Sequence, residues 1–141
     1  MQSFVYPVAL AEAPEGGFIV TCRDLPELIT QGDNRDAALE AAEGALQAAI
    51  EMRIQDDEDL PAATETAYGE VEVAVAIGTA MKAALFLAMR EQHVTQSELA
   101  RRLGVGEQEA RRLLDPRHGT KIPVLEHALH LLGKRPERRI G

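Results

Sequence analysis

The chain has 141 residues, 45% hydrophobic and 27% charged, which excludes a disordered polymer and suits one ordinary domain or two small ones. The net charge of −8 alone would point away from nucleic acid, but it is divided: residues 1–80 hold three basic side chains against sixteen acidic ones (−13), and residues 81–141 hold twelve against seven (+5). No run approaches the ~18 apolar residues of a membrane span, and the opening Met1-Gln2-Ser3-Phe4-Val5-Tyr6-Pro7 lacks the basic start and apolar stretch of a signal peptide, so the expected location is the cytoplasm.

Phe4, Tyr6, Val8 and Leu10 alternate with their neighbours and predict a strand, with Pro7 placing it at an edge or distorting it locally. Pro14-Glu15-Gly16-Gly17 is a turn, and Phe18 to Arg23 a second strand with Phe18, Val20 and Cys22 on one face. The two form an antiparallel hairpin. Cys22 is the only cysteine, so no intramolecular disulfide is possible, and it packs as a small hydrophobe. Leu28 to Gln31 predicts a short third strand closed by Gly32. Asp33 is placed to cap a helix in which Leu39, Ala42, Leu46, Ala49, Ile50 and Ile54 share one face, opposite Glu40, Glu43, Gln47 and Glu51. Gln55 to Pro61 reads as a solvated acidic loop. Glu70 to Ile77 predicts a strand with Val71, Val73, Val75 and Ile77 facing the helix.

Met81 to Gln92 predicts a further helix. Thr95 and Glu98 have capping-box spacing, Gly104 can take the left-handed conformation that stops a helix, and Val105 is the expected buried residue of the turn. A second helix follows from about Glu107 to Leu114, ended by Asp115-Pro116. Pro123 suits the first turn of a last helix carrying Leu125, Ala128, Leu129 and Leu132, closed by Gly133. The small Ala100, the glycine turn and the apolar residue after it are the requirements of a helix-turn-helix. The set resembles the Cro/phage-repressor type of DNA-binding domain.

In such a domain the second helix of the motif enters the major groove. Glu107, Gln108, Arg111 and Arg112 are then the candidates for base edges, and Gln96, Arg117, His118 and Lys121 for phosphates. His127 and His130, even with His93 or His118, lack recognisable ligand spacing, so no metal is expected, nor any cofactor.

Tyr6-Pro7-Val8, Glu15-Gly16-Gly17-Phe18-Ile19-Val20, Asp24-Leu25-Pro26-Glu27, Ile29-Thr30-Gln31-Gly32-Asp33 and Ala37-Ala38-Leu39-Glu40-Ala41-Ala42 occur in an order and spacing that resemble the HicB family of antitoxins. Asp115-Pro116-Arg117-His118, Lys121-Ile122 and the leucine-rich helix to Gly133-Lys134-Arg135 resemble its helix-turn-helix branch. The element order predicts an α+β chain, with a β-β-β-α-β domain over residues 1–78, a helix-turn-helix domain over 79–135 and a tail over 136–141, and the resemblance implies a partial RNase H-like fold for the first of them. It implies a HicA-type ribonuclease toxin as partner and repression at an operator, and two helix-turn-helix units on a palindromic site lead one to expect a homodimer or higher oligomer. Asp24, Glu27, Asp56 and Asp57 are the candidate toxin contacts. Two other readings are a regulator whose first domain senses a ligand and a residual nuclease. The nuclease would need clustered carboxylates for metal ions, and Asp24, Glu40, Glu43 and Glu72 show no spacing that gathers them, so no catalytic residue is assigned. Gly106 stands where the family usually has a Ser or Thr cap.

Overall fold

A computed structural model describes residues 4–134. The elements run β1 (Val5–Glu12), β2 (Phe18–Thr21), β3 (Ile29–Gly32), α1 (Arg35–Gln55), β4 (Val71–Ala74), α2 (Ile77–Gln92), α3 (Gln96–Leu103), α4 (Glu107–Leu114) and α5 (Ile122–Leu131). The sequence-predicted tail lies outside the described residues.

The strands form one antiparallel sheet in the order β3-β2-β1-β4. β1 is therefore flanked on both sides, contrary to a simple edge position for Pro7. The register reconciles the two: Val5–Val8 pair with β4, and Ala9–Glu12 pair with β2. Pro7 thus lies in a half of β1 that has a neighbour on one side only, where a missing N–H is tolerated.

One face of the sheet presents Tyr6, Val8, Val20 and Val73, all buried, to Ala38, Ala42, Leu46, Ala49 and Ile50 of α1. The alanines let α1 approach closely at its N-terminal end. A Cβ at Gly32 would meet the Ala38 nitrogen at 2.2 Å, and one at Gly17, where φ is +78°, would meet the Gly32 carbonyl oxygen at 2.5 Å. The helix cap is Asn34 rather than Asp33: Ala37 N–H donates to Asn34 Oδ1 at 2.8 Å. Extended backbone at Asn34 puts its side chain one step before the first helical residue, the position that can reach the open N–H groups.

Residues 56–70 carry no helix or strand but are fastened to the sheet. Tyr6 Oη donates to the Pro61 carbonyl at 2.7 Å, and burial pushes the phenol up to about 12. Arg23 donates to Thr64 and Glu70, and Thr64 in turn donates to Asp24. β4 is shorter than its sequence pattern. Ile77 does not face α1 as a strand residue; it opens α2 and is 60% exposed. Ladder pairing stops at Val5–Ala74, and beyond it Met81, Leu85 and Ala88 recur at helical spacing, so packing replaces pairing.

α2 packs on α1, α4 and α5. Its buried Met81, Leu85 and Ala88 belong to the same continuous hydrophobic cluster as Tyr6 and Ile50 on one side and Leu99, Leu113 and Leu129 on the other. The boundary drawn at residue 78 falls in the first turn of this shared helix. No helix among the described residues is long and apolar enough to cross a membrane.

Candidate functional site

α3 and α4 are eight-residue helices joined by a tight turn. Thr95 Oγ1 accepts from Glu98 N–H at 3.1 Å, which gives half of the capping box. The reciprocal half is absent because the Glu98 carboxylate instead meets Arg102 at 2.8 Å and Arg101 at 3.5 Å along its own helix. Gly104 ends α3 at φ +70°. Val105 is half-buried rather than fully buried, while Leu99, Ala100, Ala110 and Leu113 supply the inner contact of the two helices.

The polar side of α4 holds the residues singled out for DNA. Glu107, Gln108, Arg111 and Arg112 are all exposed. Glu107 and Glu109 sit at the positive end of the helix, and Arg111 and Arg112 in its last turn, an order that suits the helix dipole. Neither Arg111 nor Arg112 has an ion-pair partner among the described residues. Gly106 caps α4 with extended backbone and no side-chain bond. Its N-terminus is held from outside instead: Gln96 Nε2 donates to the Glu107 carbonyl oxygen at 3.4 Å and to the Glu107 carboxylate at 3.3 Å. Gln96 and Glu107 are thus brought together, each occupying the other.

The remaining predicted contacts divide. His118 and Lys121 are exposed and line, with Arg112, a cleft of about 530 Å³ beside α4. Arg117 is exposed but lies 3.6 Å from Glu51 of α1, an ion pair between the two halves of the chain. A phosphate contact by Arg117 would have to compete with that carboxylate.

The acidic residues named for a partner are more committed than their sequence context suggests. Asp24 accepts from Thr64 N–H and Oγ1, both at 3.0 Å. Glu27 receives Arg53 in a two-point pair at 2.5 and 2.9 Å, and that guanidinium holds its carboxyl below the usual range. Asp57 and Asp59 both bind Arg90 of α2, at 2.7 and 2.8 Å, and Asp56 is the cap residue ending α1. The acidic loop is therefore tied to α2 as well as solvated. Exposed carboxylates with fewer commitments lie on α1 at Asp36, Glu40 and Glu43. Gln47 and Glu51 complete the predicted polar stripe but are half-buried: Gln47 donates to Thr79 of α2 and Glu51 meets Arg117.

The carboxylates that metal-dependent cleavage would need are not gathered. Glu72 projects from the sheet face opposite Val73 and is exposed, whereas Glu40 and Glu43 lie on the outer side of α1, across the core. Among the described residues no group of three or more His, Cys, Asp or Glu is arranged to hold a metal ion. Cys22 is buried, and burial pushes its thiol up, away from reactivity.

Two cations were missed in the sequence. Arg90 links α2 to the acidic loop. Lys82, 4% exposed, donates to the main-chain oxygens of Arg112 at 3.3 Å, Asp115 at 2.6 Å and His118 at 2.5 Å. The available signal was a single charge in the otherwise apolar or small run Ile77 to Met89.

Residues 5–84 match the sequence model of the HicB_like antitoxin of bacterial toxin-antitoxin system. The chain is 40% identical to "Antitoxin HicB" of Escherichia coli (strain K12) over 129 residues, covering 92% of this chain and 94% of that protein. It is 39% identical over 133 residues to "Antitoxin HicB 1" of Photorhabdus laumondii, covering 94% and 84%. With "Antitoxin HicB" of Pseudomonas fluorescens (strain Pf0-1) the identity is 34% over 136 residues, covering 94% and 90%.

Proposed function

Because the chain belongs to the HicB-like antitoxin family, we propose that it neutralises a small basic HicA-type ribonuclease and represses its own operon from an operator. The toxin partner in general follows from the family; the toxin class and the operator are the proposal. In this reading the sheet and α1 form a partial RNase H-like domain that binds the toxin without cleaving RNA. The α3–α4 pair is a helix-turn-helix, the protein acts in the cytoplasm, and it works as a homodimer or higher oligomer. Two motifs on one palindrome would then meet half-sites one DNA turn apart, or a multiple of it.

The observation that carries the DNA half is the state of α4. In a chain of net charge −8, this helix exposes Gln108, Arg111 and Arg112 together, with His118 and Lys121 beside it. Gln and Arg can read adenine and guanine edges, and the flanking cations can set register on phosphates. Arg117 joins those cations when DNA displaces Glu51. For the toxin half, Asp36, Glu40 and Glu43 offer an acidic helix face that would attract a basic protein. Asp24, Glu27, Asp56 and Asp57 lie toward the other end of α1, where Glu27 pairs with Arg53 and Asp56 caps the helix, and would form a second part of the toxin contact. We assign no catalytic residue, metal or cofactor.

A gel-shift titration with the DNA upstream of its own gene tests the repressor half. Retardation that resists excess unrelated duplex supports it; equal competition by any duplex opposes it.

A further inference from the structure

We propose that Lys82 is a positioning residue for DNA recognition: a buried ammonium that caps the C-terminal end of α4 and the turn beyond it, and so fixes how the helix presents Gln108, Arg111 and Arg112. The proposal rests on the DNA-binding reading above and deepens it.

An eight-residue helix is marginal by itself, and its last carbonyls have no partner within the helix. α4 also lacks a side-chain cap at its start. It is held at both ends by side chains of other helices. Gln96 of α3 holds the first turn through the Glu107 carbonyl oxygen, and Lys82 of α2 holds the last turn through the Arg112 and Asp115 carbonyl oxygens. The third Lys82 bond, to the His118 oxygen, ties down the turn that carries Arg117 and His118. An ammonium has three donors, and here it meets three acceptors. Its charge lies at the negative end of the α4 dipole, where a cation is favoured.

Geometry separates this role from a direct one. With 4% of its surface exposed, Lys82 cannot reach a phosphate. It acts through the main chain of Arg112, a candidate base-reading residue. Burying a lysine without these acceptors would be costly, so the three carbonyls and the ammonium fix one another. A small rotation of α4 would break at least one bond.

The test uses the full chain and two duplexes of equal length, the DNA immediately upstream of its own gene and a scrambled version. Lys82→Met keeps the apolar stem and removes the donors. Ile50→Val, in the buried face of α1, serves as a destabilised control that makes none of the three Lys82 bonds. Both variants are assayed at a temperature where circular dichroism shows them folded. Lys82→Met is expected to lose about tenfold or more of its preference for the upstream duplex, equivalent to one bidentate base contact. Its affinity for the scrambled duplex, and the salt dependence of that affinity, should stay near wild type because phosphates are still met. Ile50→Val should keep the preference. An unchanged preference in folded Lys82→Met overturns the proposal while leaving the DNA reading intact. Absence of any preference in the wild-type chain sinks both. If Lys82→Met does not fold, Lys82→Gln, which retains two donors, takes its place: a partial loss of preference supports positioning, and an undiminished preference overturns it.

Discussion

Gly32 has no room for a side chain, because the Ala38 nitrogen stands 2.2 Å from where its Cβ would be. Gly32→Ala should therefore push α1 away from β3 and cost about 1–3 kcal/mol, read as a lowered urea midpoint at unchanged slope. Glu27 gives a pH signature. Arg53 lowers its folded-state pKa, so its stabilising contribution is complete above the unfolded value of about 4.3 and is lost as pH falls through the folded value. Glu27→Gln should flatten the acid limb of the stability curve below that value, by a small amount because the carboxylate is well exposed. Arg112→Ala should weaken binding to the upstream DNA by about 1–3 kcal/mol and relax one base preference; an equal loss on every duplex would identify a phosphate contact. Residue-scale features were the least legible in the sequence. Asn34 and Asp33 are both competent caps, and only the backbone path chooses between them. The partners of Glu27, Asp57 and Asp59 come from distant positions, Arg53 and Arg90, that no local pattern links to them.

Elements were read more successfully, and the failures share a cause. The hairpin, the long helix and the α3–Gly104–α4 unit follow from local chemistry: paired glycines, an apolar stripe, a cap and a left-handed stop. The end of β4 does not. Val75 and Ile77 continue an alternating pattern, yet a strand needs a neighbour, and the pairing stops at Val5. The same tertiary dependence shows in α2, whose apolar residues serve both sides of the molecule. One continuous cluster should unfold as a unit. Thermal melts followed by far-ultraviolet dichroism and by calorimetry should coincide in a single transition. Two resolved transitions would mean that the sheet half and the helical half are independent despite their shared helix.

At the scale of the molecule, the charge asymmetry has a spatial form. The positive excess includes Arg111, Arg112 and Lys121 on and beside α4, while Asp36, Glu40 and Glu43 mark an exposed side of α1. Between them, Arg117–Glu51 and Arg90 with Asp57 and Asp59 hold opposite signs together. The split itself was visible in composition, but these internal pairs were not, and they reduce the acidity available to a partner. What makes that partner a toxin is family membership, with 40% identity across almost the whole chain to an antitoxin. The most direct test is bacterial growth with a small basic HicA-type protein encoded next to this gene expressed alone and together with this chain. Arrest is expected in the first case, restored growth in the second, and co-purification of the two proteins. Arrest that persists at equal expression, with no complex recovered, would contradict toxin neutralisation.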